Sequence, residues 1–302
     1  MLADSDSVKQ AVSWMPISSG IVARFVAGES VEDAVSTSKR LVDSGLRVSL
    51  DHLGEHTTDV ASATATTDAY LLLLHRLEEA QLTGSVEVSV KLSAVGQALP
   101  GDGERISVDN ASRICAAARA AGTTVTIDME DHTTTDATLT AVGKLRADFP
   151  DVGAVVQAYL HRTEQDCRDL AYAGSRVRLC KGAYKEPESV AYQQRSQVDT
   201  SYVRCLKVLM AGVGYPMVAT HDPTLVEIAG WLANHHERSP ESYEYQMLFG
   251  IRPEEQLRLA AAGKRVRIYT PYGDEWYGYL MRRLAERPAN VAFFARSVVT
   301  KS

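Results

Sequence analysis

Residues 123–159 read TTVTIDMEDHTTTDATLTAVGKLRADFPDVGAVVQAY. A β-branched run at 123–129 gives way to acidic residues, a segment of 3.6-residue periodicity follows at 136–149, and a second apolar run occupies 154–159. A strand, a helix and a strand at this spacing imply parallel pairing through a right-handed crossover. The unit recurs along the chain. Further strand-like runs lie at 46–50, 86–92, 176–180, 217–221, 243–248 and 265–270, with helical patterns such as 107–121 and 224–236 between them. That makes eight strands, and eight βα units close most naturally into a (β/α)8 barrel. The expected organisation is a helical segment at 1–45 packed on a barrel spanning 46–302. A doubly wound sheet is the competing architecture; if it bound a dinucleotide it would carry a GxGxxG turn after its first strand. The chain has no such turn. The tract 94–104, with Pro100, Gly101 and Gly103, reads as a loop.

The 302 residues are 45% hydrophobic and 23% charged, so a large buried core is expected. A net charge of −6 and the lack of clustered Lys and Arg argue against nucleic acid as a partner. The four cysteines are scattered, without a CxxC, and read as reduced thiols in a cytoplasmic compartment. No secretion signal is apparent at the N-terminus, and no apolar run approaches the roughly 20 residues needed to span a bilayer.

Barrel chemistry resides at the carboxyl ends of the strands. Here nearly every strand ends in a polar group: Asp51, His52 and Glu55; Lys91; Asp128, Glu130 and His132; Gln157; Arg178 and Lys181; Thr220, His221 and Asp222; Gln246; Tyr269. Burying so many without partners is costly, so their convergence points to a ligand site. Lys91 is open to three readings: a Schiff-base nucleophile, a binding cation or an ion-pair partner. The acids and histidines lack HxH or HExxH spacing, and no metal is expected. Asp222 before Pro223 reads as a helix cap, and Gly182 allows close backbone approach to a ligand. At the C-terminus, Pro271–Asp274 reads as a turn and 275–286 as a helix. Tyr279, Arg282, Arg283 and Glu286 share one face of it. Two adjacent arginines can grip a carboxylate, with Glu286 holding one in place, or can form a solvated ion-pair face. In a regular barrel this helix descends outside the wall, away from the mouth.

Ordered motifs, one per strand end, carry a resemblance. They are Asp51-His52-Leu53-Gly54-Glu55, Val90-Lys91-Leu92-Ser93, Asp128-Met129-Glu130, Val155-Val156-Gln157-Ala158-Tyr159, Arg178-Leu179-Cys180-Lys181-Gly182-Ala183-Tyr184, Ala219-Thr220-His221, Tyr245-Gln246-Met247-Leu248-Phe249-Gly250, Arg267-Ile268-Tyr269 and Tyr279-Leu280-Met281-Arg282-Arg283-Leu284-Ala285-Glu286. The chain resembles the proline dehydrogenase family, FAD-dependent enzymes that begin proline catabolism. The resemblance implies a distorted barrel with the last helix over the mouth and N-terminal helices filling the vacated flank.

It further implies that Arg282 and Arg283 bind the proline carboxylate. Lys91 would face the substrate, supported by Asp128, with Tyr269, Tyr279 and Leu248 packed around the ring. Arg178 would approach the flavin N5 that receives the hydride, and Met129, Gln157, Lys181, Gly182, Ala183, Tyr184, Thr220 and His221 would be further flavin contacts. Glu55 would be a gate pairing with Arg282. The product would be Δ1-pyrroline-5-carboxylate, and Tyr279 would favour unsubstituted proline. The family's usual electron acceptor is a membrane quinone, which implies a cytoplasmic protein meeting the inner membrane face peripherally. The chain is too short for a fused aldehyde dehydrogenase, so the resemblance is to the monofunctional bacterial branch, with a separate dehydrogenase taking the product. The alternative from the residues alone is an aldolase-like barrel using Lys91 or Lys181 as a Schiff base.

Overall fold

A computed structural model describes residue 20 and residues 22–285, with the side chains of 282–285 left aside. The chain opens with α1 (Val22–Phe25) and α2 (Val31–Asp43), followed by β1 (Arg47–His52), α3 (Val60–Glu79), β2 (Val86–Val90), α4 (Gly103–Ala120), β3 (Val125–Ile127) and α5 (Thr135–Asp148). Then come β4 (Gly153–Gln157), α6 (Thr163–Leu170), β5 (Arg176–Cys180), α7 (Arg195–Ala211), β6 (Tyr215–Ala219) and α8 (Pro223–His235). The order closes with β7 (Glu244–Leu248), α9 (Pro253–Ala261), β8 (Val266–Tyr272) and α10 (Trp276–Ala285). All eight strands are parallel and form a closed barrel in sequence order, with β1 pairing to both β2 and β8.

Alternation along the strands builds two different interiors. In β2, Val86, Val88 and Val90 face outward into the apolar layer beneath α3 and α4. The intervening Glu87 and Ser89 bond to neighbouring strands inside the barrel. The outer layer is therefore the hydrophobic core, split between the β1–β4 side and the β5–β8 side. The barrel lumen is polar. Gly153 is needed where β4 meets β3, because a Cβ there would stand 2.5 Å from Thr126 Oγ1.

Caps fix several helices. Ser30 and Asp33 bond reciprocally at the start of α2, and Asp222 accepts from Thr224 N ahead of Pro223 at the start of α8. The helix that packs over β1 and β8 is α2, drawn from the N-terminal segment. The last helix lies elsewhere: Trp276, Tyr279 and Leu280 of α10 bury against Val22, Phe25 and Val26 and against Leu53, just past the carboxyl end of β1. This is the displaced last helix of a distorted barrel.

Some boundaries differ from the sequence reading. Pro271 and Tyr272, expected in a turn, continue β8. Their carbonyls accept from Ala27 N and Leu53 N, so two neighbouring segments hold them extended. β6 begins two residues earlier than expected, where Tyr215 and Pro216 pair with Arg176 and Val177. α4 begins at Gly103, inside the expected loop.

Candidate active site

The lumen carries charge in two tiers. In the lower tier Glu87 accepts from Arg176 Nη2, and Glu244 accepts from Arg267 Nε at 2.7 Å and Nη2 at 3.1 Å. Burial opposes the charge on Glu87, but Arg176, Arg267 and Arg178 outweigh it and hold the carboxyl down to about 2. Glu244 is lowered in the same way, chiefly by Arg267 against burial. None of these four residues was given a role from sequence, although Arg267 stands in one of the quoted motifs. Their signal was available: strands of a parallel barrel usually read as unbroken apolar runs, so Glu87, Arg176, Glu244 and Arg267 mark the inward face.

The upper tier lies at the mouth. Arg178 is 4% exposed and fully engaged: Nε donates to Gln246 Oε1 at 2.5 Å, Nη1 to Asp128 Oδ1 at 2.5 Å, and Nη2 to Ser89 Oγ at 3.0 Å. Its guanidinium carbon stands 5.2 Å from the Tyr269 ring centre. Tyr269 donates its hydroxyl to Asp128 Oδ2 at 2.7 Å. Side chains from β2, β5, β7 and β8 and from the residue just past β3 thus meet at one guanidinium. Burial raises the Asp128 carboxyl above its ordinary value, with Asp51 adding to the rise and Arg178 and Lys91 opposing it.

Lys91 departs from expectation. Its partner is Asp51, whose carboxylate oxygens accept from Nζ at 2.7 and 2.6 Å, and not Asp128. β1 and β2 are adjacent, which places the two side chains together across one strand spacing, while Asp128 is taken up by Arg178 and Tyr269. Burial alone would lower the Lys91 ammonium. Asp51, with Asp128 and Glu55 behind it, more than offsets burial and lifts it above the ordinary lysine value. Lys91 is therefore a cation at neutral pH.

Most of the other expected residues lie at or just past the carboxyl ends of β1, β3, β4, β5 and β6. Met129 and Gln157 are buried, and Gln157 Nε2 donates to Glu130 O at 2.7 Å. Glu130 accepts from Ser93 N and Oγ, and burial raises its carboxyl. Lys181 Nζ bonds Asp199 and Asp222. Gly182 has φ +111°, and a Cβ there would stand 2.4 Å from the Tyr159 ring. Ala183 and Tyr184 follow on the same loop, Ala183 exposed and Tyr184 half-buried. Thr220 Oγ1 accepts from Asp222 N, and His221 Nε2 accepts from Leu248 N at 2.8 Å, which leaves the imidazole proton on Nδ1. Glu55 is half-buried on the loop after β1, within electrostatic reach of Lys91. Tyr279 is buried on α10. Arg282 and Arg283 lie in the last turns of α10 with side chains outside the described residues, and Glu286 lies outside them entirely.

A further clasp escaped the sequence reading. Glu186, on the loop after β5, accepts from His132 N at 2.9 Å and from Tyr159 OH at 3.3 Å, and also meets His132 Nδ1. It ties the loop that carries Gly182 to the segment after β3. Among the described residues no group of acids, histidines or cysteines could hold a metal ion, and no helix is long and apolar enough to cross a membrane.

A family profile described as proline dehydrogenase matches residues 34–296. The chain belongs to the proline dehydrogenase family. Proline dehydrogenase 1 of Bacillus subtilis is 37% identical over 278 residues, covering 92% of this chain and 90% of that protein. A proline dehydrogenase of Deinococcus radiodurans is 39% identical over 283 residues, with the same two coverages of 92% and 90%. Among solved structures, proline utilization A of Bdellovibrio bacteriovorus, inactivated by N-propargylglycine, superposes with a TM-score of 0.81 at 25% identity. That match covers 88% of this chain but 32% of the longer one, so the likeness is to one part of it. As a proline dehydrogenase, the chain is an oxidoreductase of proline catabolism built on a closed barrel.

Proposed function

We propose that this chain oxidises L-proline to Δ1-pyrroline-5-carboxylate with FAD held at the carboxyl ends of the strands. The observation that carries this reading is the pair of buried cations at the mouth, Lys91 and Arg178, each fixed by its own carboxylate. A ring system that gains negative charge on reduction and an amino acid carboxylate both suit such a floor. The donor set suits the cofactor: Arg178 offers a guanidinium already held by Asp128, Gln246 and Ser89, Gly182 presents bare backbone, and Met129, Gln157, Lys181, Ala183, Tyr184, Thr220 and His221 are assigned as its further contacts. When bound, FAD supplies the acceptor for the hydride that leaves the ring carbon beside the proline nitrogen.

The protein's own part is orientation and charge. Arg282 and Arg283 clamp the substrate carboxylate, with Glu286 supporting them, and Glu55 closes the site by pairing with Arg282. Leu248, Tyr269 and Tyr279 pack around the ring. Fixing a reactant in this way contributes up to about 7–11 kcal/mol to the barrier reduction. Arg178 offsets negative charge that develops during transfer, without reorganising, because Asp128, Gln246 and Ser89 already hold it. Closure excludes water from the reacting pair. Electrons then pass to a quinone at the membrane surface, which places the enzyme in the cytoplasm against the inner face. A separate dehydrogenase takes the product.

The Schiff-base reading has no observation in its favour. A nucleophilic amine must be neutral, whereas Asp51 keeps Lys91 protonated and Lys181 sits between Asp199 and Asp222. The test is the visible spectrum of the purified protein. Flavin bands that bleach when L-proline is added without oxygen are expected. A colourless protein that cannot be reconstituted with FAD would overturn the proposal.

A further inference from the structure

At the opposite, amino-terminal face of the barrel lies a second polar cavity of about 330 Å³. Arg47 from the start of β1, Arg267 from β8, Arg119 from the end of α4 and the hydroxyl residues Thr83, Ser85 and Thr124 line it. Most of these groups are accounted for. Arg267 is engaged by Glu244 and by Val48 O, and Arg119 donates to Asp148 O at 2.9 Å and lies over the Phe149 ring. Thr124 donates to Asp151 O.

Arg47 is the exception. Its half-buried guanidinium forms no hydrogen bond or ion pair among the described residues. Burial lowers its pKa, and repulsion from Arg267 and Arg265 adds to the fall, with Glu244 and Tyr215 acting the other way. The carboxylates within reach are committed or poorly placed. Glu87, which also lines the cavity, is taken by Arg176 and Arg267, and Asp151 is exposed at the rim. The hydroxyls of Thr83 and Ser85 make no hydrogen bond among the described residues either. A cation drawn partly out of water beside other cations is destabilising unless an anion completes it. In a chain of net charge −6 such a local excess of guanidinium is also not a consequence of overall composition.

We propose that this cavity binds a small oxyanion of the phosphate class, gripped by the Arg47 fork with help from Arg119 and the hydroxyls of Thr83 and Ser85. Guanidinium presents paired donors that match phosphate oxygens, and flanking hydroxyls complete the shell. The cavity also has room for the organic part of a phosphate monoester. The site lies at the other end of the barrel from the mouth, so its ligand does not compete with proline or FAD.

The experiment uses the intact holoenzyme without proline, titrated with inorganic phosphate at constant ionic strength against a chloride control, and follows the unfolding temperature. Wild type is expected to show a saturable rise. Arg47→Gln should bind phosphate about tenfold more weakly or worse, the equivalent of losing one charged hydrogen bond. It should also unfold at a higher temperature than wild type in phosphate-free buffer, because the repulsion is gone, with proline turnover unchanged. Arg47→Lys should bind with intermediate strength, and Asp151→Asn more tightly than wild type. A second titration with glycerol phosphate distinguishes the source: a stronger response than to phosphate assigns the site to a monoester, a weaker one to the free ion. Equal phosphate responses from wild type and both Arg47 variants, or no saturable response in wild type, would overturn the proposal. So would an Arg47→Gln protein that is less stable than wild type in the absence of phosphate, which would make Arg47 a structural residue.

Discussion

Replacing Asp51 by Asn separates the fold from the chemistry at the mouth. The Asp51 side chain is 1% exposed and that of Lys91 10%, with oxygen and nitrogen 2.6 Å apart. Removing one partner of so desolvated a pair strands the other and costs about 3–5 kcal/mol. For a chain of this length, at about 2 cal/mol/K of unfolding entropy per residue, that corresponds to a fall of about 5–8 °C in Tm. The pH dependence gives a second signature. In wild type, Lys91 has a raised pKa, so its contribution to stability is complete at neutral pH and is lost only as pH rises through the folded value. Without Asp51, burial has only Asp128 and Glu55 against it, and the folded pKa drops below that of the unfolded chain. The unfolded state then binds more protons, so Asp51→Asn should regain stability between pH 7 and 10. The paired change Asp51→Leu with Lys91→Met should melt within a few degrees of wild type, since apolar replacements of a buried pair are often neutral, yet raise KM for proline. Thermal melts from pH 6 to 10 and steady-state kinetics measure both effects. A single variant melting within 1 °C of wild type at pH 7, or a double variant with unchanged KM, would refute the reasoning.

Acid stability should depend on Glu87. Its carboxyl is held at about 2 against an ordinary 4.5, so the stability it confers is present above about pH 4.5 and is lost as pH falls towards 2, on the order of 3 kcal/mol. Glu87→Gln should be less stable at neutral pH and flatter over that acid window in urea titrations, whereas a curve parallel to wild type would show that the lower tier does not act through this group. Gly182→Ala places a Cβ 2.4 Å from the Tyr159 ring at φ +111°. A cost of about 1–3 kcal/mol is expected, with the loop displaced and less flavin retained on dialysis; unchanged Tm and unchanged retention would count against the cradle.

The barrel was legible because the period of the pattern changes eight times from strand to helix, and strand existence depends on that pattern more than on context. Boundaries were less so. Pro271 and Tyr272 look like a turn by residue type, and only the distant Ala27 and the end of β1 hold them extended. At the site, residues at strand ends such as Lys91, Asp128, Arg178 and Tyr269 could be named from position and resemblance, but not which acid serves which base. Asp51 and Asp128 are equally plausible partners for Lys91 in one dimension; the closed sheet decides between them. Glu186 was invisible for a different reason, since it sits in a loop whose path no periodicity constrains.

The composition of the lumen bears on how the barrel closes. The interior of β1–β4 is rich in acid, with Asp51, Glu87 and Asp128 against Lys91, while that of β5–β8 is rich in base, with Arg176, Arg178 and Arg267 against Glu244. Either half assembled alone would hold like charges facing one another, tolerable only while water still screens them. The two halves are electrostatic complements that can be dried only together, so the cylinder is expected to form as one cooperative unit, with its register checked by the pairing of these charges as the seam shuts.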